Sequence, residues 1–185
     1  MLEIEVKYRV EDLQRIETRL AEVGARLLAE REERDLYFNA PHRDFARSDE
    51  AVRIRQVGES NWLTYKGPRT DAQTKTRREI EVPLAAGAVA FEAARNWLEV
   101  LGFRPVRQLH KKRRVYELER NSRRVHVSLD HVPGLGEFVE LEILATENDF
   151  PAAKAELLQF AAELQLTRQE RRSYLELVLS SERSE

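Results

Sequence analysis

The 185-residue chain contains no cysteine. Disulfides and thiolate metal sites are therefore excluded. Its four histidines are too scattered to supply a zinc motif of recognisable spacing. No apolar run approaches membrane-spanning length, and the first residues carry no apolar stretch of the signal-peptide kind. An excess of one charge is also missing. Charged residues make up 35 % of the chain, yet the formal net charge is only −2. General electrostatic attraction to nucleic acid or to an anionic membrane is not indicated. These absences lead to the expectation of a soluble cytoplasmic protein with no nucleic-acid or membrane partner. The length suits one domain with a real core, taken as residues 1–185.

What the chain does have is ionic alternation. It opens on LEIEVKYRV, where Glu3, Glu5, Lys7 and Arg9 alternate with Leu2, Ile4, Val6, Tyr8 and Val10. That is the strand period, with one apolar and one charged face. Helical spacing follows in EDLQRIETRLAEVGARL, through Leu13, Ile16, Leu20, Val23 and Leu27. Strand-like pieces come next: DLYFNAP, AVRIRQV, NWLTYKG and TKTRREIEVPL. A second helix is predicted in AVAFEAARNWLEVLGF, with Gly102 at its end. Long strands are predicted in QLHKKRRVYELE, RRVHVSLDHV and FVELEIL. A third helix, FPAAKAELLQFAAELQL, has Pro151 near its first turn. The closing SYLELVLS suits a strand or a short helix. Three times an acid-x-acid strand (EIEV at Glu3, EIEV at Glu79, ELEI at Glu140) runs into an amphipathic helix, which suggests equivalent strands of one sheet system.

Parity sorts the charges onto faces. Arg53 and Arg55 share one face. So do Lys75, Arg77, Glu79 and Glu81; Glu140 and Glu142; Arg124, His126, Ser128 and Asp130; and Thr64 and Lys66. In HKKRRVY parity leaves two choices, Lys111 with Arg113 or Lys112 with Arg114. The aliphatic faces give the helices a surface to pack on. The ionic faces must lie opposite, either in water on an open sheet or inside a closed barrel. Tight acid pairs at i and i+2, and the dominance of arginine, favour an enclosed ligand-binding face. Clustered basic residues call for a polyanion, and the carboxylates beside them for Mg2+ or Mn2+.

The E-x-E-x-K of Glu3, Glu5 and Lys7 resembles the signature of the CYTH family, the triphosphate tunnel metalloenzymes. The likeness continues in order through R-I-R at Arg53 to Arg55, T-Y-K-G-P around Lys66 and K-T-R-R-E-I-E at Lys75 to Glu81. It extends to K-x-R-x-x-Y at Lys111, Arg113 and Tyr116, to Asp130, and to G-x-F-V-E-L-E ending at Glu142. Within the family, YFNAPHRDFARSDEAVRIRQ, LTYKGP, TKTRREIEVPL and SYLELV resemble the bacterial class IV adenylyl cyclase branch.

The resemblance implies an α+β fold: a closed antiparallel eight-stranded β-barrel forming a tunnel, with helices packed outside. It implies metal binding by Glu5 and Glu140, with Glu3, Glu142 and Asp130 close by. Lys7, Arg53, Arg55, Lys66, Lys111 and Arg113 would grip a triphosphate, joined by Lys75 and Arg77. Glu79 and Glu81 would be supporting residues that orient neighbours. Glu5, Lys7, Lys66, Lys111 and Arg113 form the expected catalytic set, and family spacing selects Lys111 and Arg113 over their neighbours. The implied activity is conversion of ATP to cyclic AMP and pyrophosphate, in a homodimer. A triphosphatase acting on tripolyphosphate, thiamine triphosphate or a nucleotide is the alternative on the same scaffold. A polyphosphate-binding or nucleotide-binding protein without turnover is the alternative from another class.

Overall fold

The computed structural model describes residues 2–182. Its eight strands form one antiparallel sheet in the order β1-β8-β7-β6-β2-β3-β4-β5. The strands are β1 (Leu2–Val10), β2 (Arg26–Asn39), β3 (Ala51–Val57), β4 (Ser60–Lys66), β5 (Glu79–Leu84), β6 (Arg104–Arg120), β7 (Arg123–Val132) and β8 (Gly136–Ala145). The helices are α1 (Leu13–Glu22), α2 (Phe45–Ser48), α3 (Ala88–Val100), α4 (Phe150–Glu163) and α5 (Tyr174–Ser181). The α+β expectation holds, but the closed barrel does not. β1 and β5 are the ends of the strand order, and no ladder joins them among the described residues. The free edge of β1 is taken up by irregular chain instead. Lys75 N donates to Glu5 O at 2.8 Å, Glu170 N to Lys7 O at 2.8 Å, and Arg9 N to Arg168 O at 2.9 Å.

The chain divides into two compact units. The first comprises residues 2–30, 70–76 and 111–172. Its strands use the parity read from the sequence. Ile4, Val6 and Tyr8 of β1, Val125, Val127 and Leu129 of β7, and Val139, Leu141 and Ile143 of β8 face one side. There they pack with Leu13, Ile16 and Leu20 of α1 and Leu157 and Phe160 of α4. Each fully buried aliphatic side chain contributes roughly 1.5–3 kcal/mol. α1 starts where Asp12 caps it, accepting from Gln14 N at 2.8 Å. It stops at Glu22, because Gly24 adopts a left-handed φ of 75° that L-residues disfavour. Leu27, read as helical, therefore lies in β2, which begins at Arg26, and stands exposed.

The second unit comprises residues 31–69, 77–110 and 173–182. Leu36 and Phe38, Val52 and Ile54, and Leu63 and Tyr65 turn to one side of β2, β3 and β4. They pack with Phe45, and with Phe91 and Leu98 of α3. The last segment is a helix, α5, rather than a strand. A capping box between Ser173 and Glu176 decides it, each side chain answering the other's backbone N–H.

TKTRREIEVPL is not one strand. β5 begins at Glu79, and residues 70–76 form a loop of the first unit. That loop is held by Thr70 N to Thr76 O at 2.8 Å, and by Lys154 reaching Asp71 at 2.8 Å. Lys75 therefore belongs to the first unit, while Arg77 stays in the second beside Glu79, at 3.5 Å.

Candidate functional site

The ionic face of the first unit is a chain of buried ion pairs. β1 pairs with β8 so that Lys7 stands opposite Glu140 and Glu5 opposite Glu142. β6 pairs with β7 so that Arg113 stands opposite Asp130. The Arg113 guanidinium grips Asp130 with two parallel bonds, Nε to Oδ1 at 2.6 Å and Nη2 to Oδ2 at 2.5 Å. Its Nη2 also donates to Glu140. Lys75 enters from the loop and donates to Glu5 at 2.7 Å, with Glu140 at 3.6 Å. Lys7 is almost wholly buried, with its Nζ 2.5 Å from the Arg172 carbonyl and 5.4 Å from the Phe138 ring centre. Lys111 is buried on the same strand face as Arg113. The structure thus takes the Lys111 and Arg113 register. Arg114 turns to the other side, where it meets Glu17 of α1 at 2.6 Å.

Burial and crowding leave this face electrostatically uneven. Burial, then the positive charge of Lys75, hold the Lys7 ammonium well below its ordinary pKa. Burial alone would raise the Glu140 carboxyl. Arg113, then Lys75, Lys111 and Lys7, overcome that and hold it well below the usual carboxylate range. Glu142 shifts the opposite way: burial, then the charge of Glu5, push its carboxyl up.

A carboxylate disfavoured by a neighbouring carboxylate is a place where a cation lowers the energy. Hard oxygen donors from glutamate suit Mg2+ or Mn2+. The donor set of Glu5, Glu140 and Glu142 therefore fits such an ion in chemistry. It is not preassembled: among the described residues no three acidic or histidine side chains converge as a ligand group. Lys75 is paired with Glu5, and Arg113 with Glu140. Asp130, fully buried, is spent on Arg113. Glu3 stands further along β1, opposite Leu144.

The second unit carries a different ionic face. Arg55 is held by Asp35 through two bonds of 2.7 Å, and by Glu33 at 2.9 Å. Arg53 reaches the same Asp35 at 3.3 Å, and its Nε is buried with no hydrogen-bond partner among the described residues. A buried donor left open is a place for an anion or water. Burial opposes charge on both arginines, yet Asp35 and its neighbours raise their pKa values. Lys66 donates to Glu79, which Arg77 approaches to 3.5 Å. Thr64 donates to Glu81 at 3.0 Å. Glu79 and Glu81 are thus engaged with their neighbours. Glu33 and Asp35 were missed in the sequence. Their signal was available, because Glu33, Asp35 and Tyr37 share one strand parity.

The fold and these faces define a class: an antiparallel-sheet protein with buried lysine, arginine and glutamate surfaces fit for an anionic ligand and a hard cation. Comparison with known proteins gives the family. The family model for the CYTH domain matches residues 1–174. The chain is 34 % identical over 180 residues to a Methanocaldococcus jannaschii protein named "Putative adenylate cyclase MJ0240", covering 96 % of this chain and 98 % of that one. It is 30 % identical to "Adenylate cyclase CyaB" of Aeromonas hydrophila, covering 93 % of this chain and 86 % of that one. The solved structure of PH1819 from Pyrococcus horikoshii is similar, with a TM-score of 0.86, 35 % identity, and coverage of 97 % and 99 % of the two chains. This chain belongs to the CYTH family. Among the described residues no helix is long and apolar enough to cross a membrane.

Proposed function

We propose that this chain is an adenylyl cyclase of the class IV type, converting ATP to cyclic AMP and pyrophosphate with Mg2+ or Mn2+. An enzymatic role follows from the family and from relatives named adenylate cyclase across nearly their whole length. The observation that carries the reading is the mixed face of the first unit. Carboxylates that disfavour one another stand beside desolvated cations, the combination a metal-bound polyphosphate would satisfy.

In this reading Lys7, Lys111 and Arg113 of the first unit bind phosphate oxygens, and Lys75 shifts from Glu5 to phosphate as ligand enters. Arg53, Arg55, Lys66 and Arg77 of the second unit are assigned to the same anionic chemistry. The open Nε of Arg53 supports that assignment. Glu5, Glu140 and Glu142 would hold the metal, with Glu3 and Asp130 at its margin. When bound, the metal supplies activation of the attacking hydroxyl and neutralises charge on the leaving group. The ribose 3′-hydroxyl oxygen bonds to the α-phosphorus and gives up its proton to water, and the bond from that phosphorus to the bridging oxygen of the β-phosphate breaks. The basic side chains stabilise the charge that gathers on the departing pyrophosphate. The reading includes a homodimer in the cytoplasm, with the whole chain, 1–185, acting as one CYTH-like domain. Light scattering in solution checks the homodimer.

Hydrolysis of a triphosphate is the second reading. A solved Hippeastrum protein, HpAC1, is named for a dominant triphosphatase activity and shares the fold at a TM-score of 0.68 and 17 % identity. Both reactions need the same cations, and they differ in where the nucleophile stands. Phosphorus NMR of products from ATP and from tripolyphosphate, with Mg2+ or Mn2+, decides between them. Cyclic AMP with pyrophosphate supports the cyclase. ADP with orthophosphate, or pyrophosphate with orthophosphate from tripolyphosphate, makes the protein a triphosphatase. No product from either substrate favours binding without turnover.

A further inference from the structure

The ionic face of the first unit is ordered along its strands. Lys7, Lys111 and Arg113 mark one end, where β1 and β6 meet Glu140 and Asp130 of their neighbours. Glu5 and Glu142 stand opposite each other midway. Beyond them Glu3 stands opposite Leu144, and the charged groups are joined by apolar and imidazole side chains. Leu144 takes the next position on the Glu140 and Glu142 parity, and it is 53 % exposed. His126 stands opposite Glu142, and Arg124 lies two residues further along β7. Glu117 holds both planar groups, 3.2 Å from His126 Nε2 and 3.3 Å from Arg124 Nε.

A cavity of about 310 Å3 opens here, lined by Arg124, His126, Glu142, Leu144 and Asp149 among others. That volume lies within the range of small-molecule sites, roughly 300–1,000 Å3. Its wall combines an apolar side chain, an imidazole, a guanidinium and a carboxylate acceptor. Asp149 is itself fixed by Arg123 at 2.6 Å. A bare polyphosphate has no use for an imidazole and a leucine. A nucleobase does, since planar side chains stack on its π face.

We propose that this cavity is a nucleoside subsite, taking the ribose and base of a nucleoside triphosphate whose phosphates lie at Lys7, Lys111 and Arg113. The inference rests on the nucleotide reading above. The spacing fits it. From Glu140 to Leu144 is four residues of strand, roughly 13 Å at the usual rise, enough for a nucleoside to extend in line with its phosphates. The carboxylates that would hold the metal then fall between the two parts, where the α-phosphate and ribose meet.

The test compares binding of two non-reacting ligands by calorimetry: ATP and tripolyphosphate, each with its bridging oxygens replaced by methylene groups. Leu144→Asp puts a charge on the exposed wall, and His126→Ala removes the imidazole. Each is expected to weaken the ATP analogue by about tenfold, the scale of one lost stacking contact, and to leave the tripolyphosphate analogue unchanged. The His126 ring resonances should also move on adding the ATP analogue to the wild-type protein, and stay still with the tripolyphosphate analogue. Equal affinities for the ATP analogue in wild type and variants, with unmoved His126 resonances, overturn the subsite and leave the phosphate site standing. If the wild-type protein binds neither ligand, the phosphate site fails and the subsite falls with it.

Discussion

The two units carry ionic faces with similar charge but in different states. In the second unit guanidinium groups dominate, and each is matched to a carboxylate. Arg55 is held by Asp35 and Glu33, and Arg53 shares Asp35. Arg53 and Arg55 are raised and Glu79 is lowered, so each of these shifts favours the charged form. In the first unit lysines dominate, and the balance is poorer. Arg113 and Glu140 are settled together, while Lys7 is pushed down and Glu142 up, both chiefly by burial. A guanidinium satisfies a carboxylate with a planar fork, whereas an ammonium is a point charge that shifts readily when desolvated. The second face is therefore largely charge-paired without a ligand, the open Nε of Arg53 excepted. The first retains groups whose charged forms are costly until a ligand arrives, and ligand binding should gain most there.

The largest test of that contrast is at the acids of the first unit. Glu5→Gln and Glu140→Gln should each reduce turnover by about a thousandfold or more, the loss of several kcal/mol of metal-borne transition-state stabilisation. Initial-rate assays with Mn2+ check it. Turnover within tenfold of wild type would remove these acids from the chemistry and favour a binding protein.

The next effect in size belongs to the second unit, and it should fall on stability. Asp35→Asn leaves two buried arginines without their shared counter-ion. Breaking such a pair costs roughly 3–5 kcal/mol. Urea unfolding should show the loss in midpoint. If Asp35→Asn unfolds within about 0.5 kcal/mol of wild type, Asp35 does not settle these arginines, and they are as unsettled as the lysines of the first unit.

Much of this arrangement was legible because strand parity is local. LEIEVKYRV and FVELEIL each declare an apolar and an ionic face, and the core contains Ile4, Val6, Leu141 and Ile143 as that parity requires. What failed depended on contacts distant in sequence. TKTR alternates like a strand, but the Asp71 to Lys154 pair, 83 residues apart, holds it as a loop. HKKRRVY offers two equal faces, and a residue of α1, Glu17, claims Arg114. Glu33 and Asp35 were hidden because Arg31, Glu32, Glu33 and Arg34 place charges on both parities, so the strand seemed to start later than it does. Closure of the sheet was also beyond local reading, since pairing of β1 with β5 depends on what else occupies the β1 edge.

The smallest effect sharpens the comparison within the first unit, by sign. The Glu142 carboxyl is raised on folding, so its contribution is fully present below its unfolded pKa, about 4.3, and is lost as pH rises through the folded value. Glu142→Gln stays neutral throughout. The metal-free variant should therefore melt higher than wild type at pH 7, and the gap should close near pH 4. Glu140 has the opposite shift, so its contribution is present above its unfolded pKa and is lost as pH falls through the lower folded value. Glu140→Gln should therefore melt lower than wild type at pH 7. Thermal melts with a chelator across pH 4–8 check both. Opposite signs from two glutamates two residues apart on one strand face would mark the boundary between a carboxylate already satisfied by arginine and one still lacking a cation. Equal signs would mean that burial treats the two alike, and the uneven character assigned to the first unit would be lost.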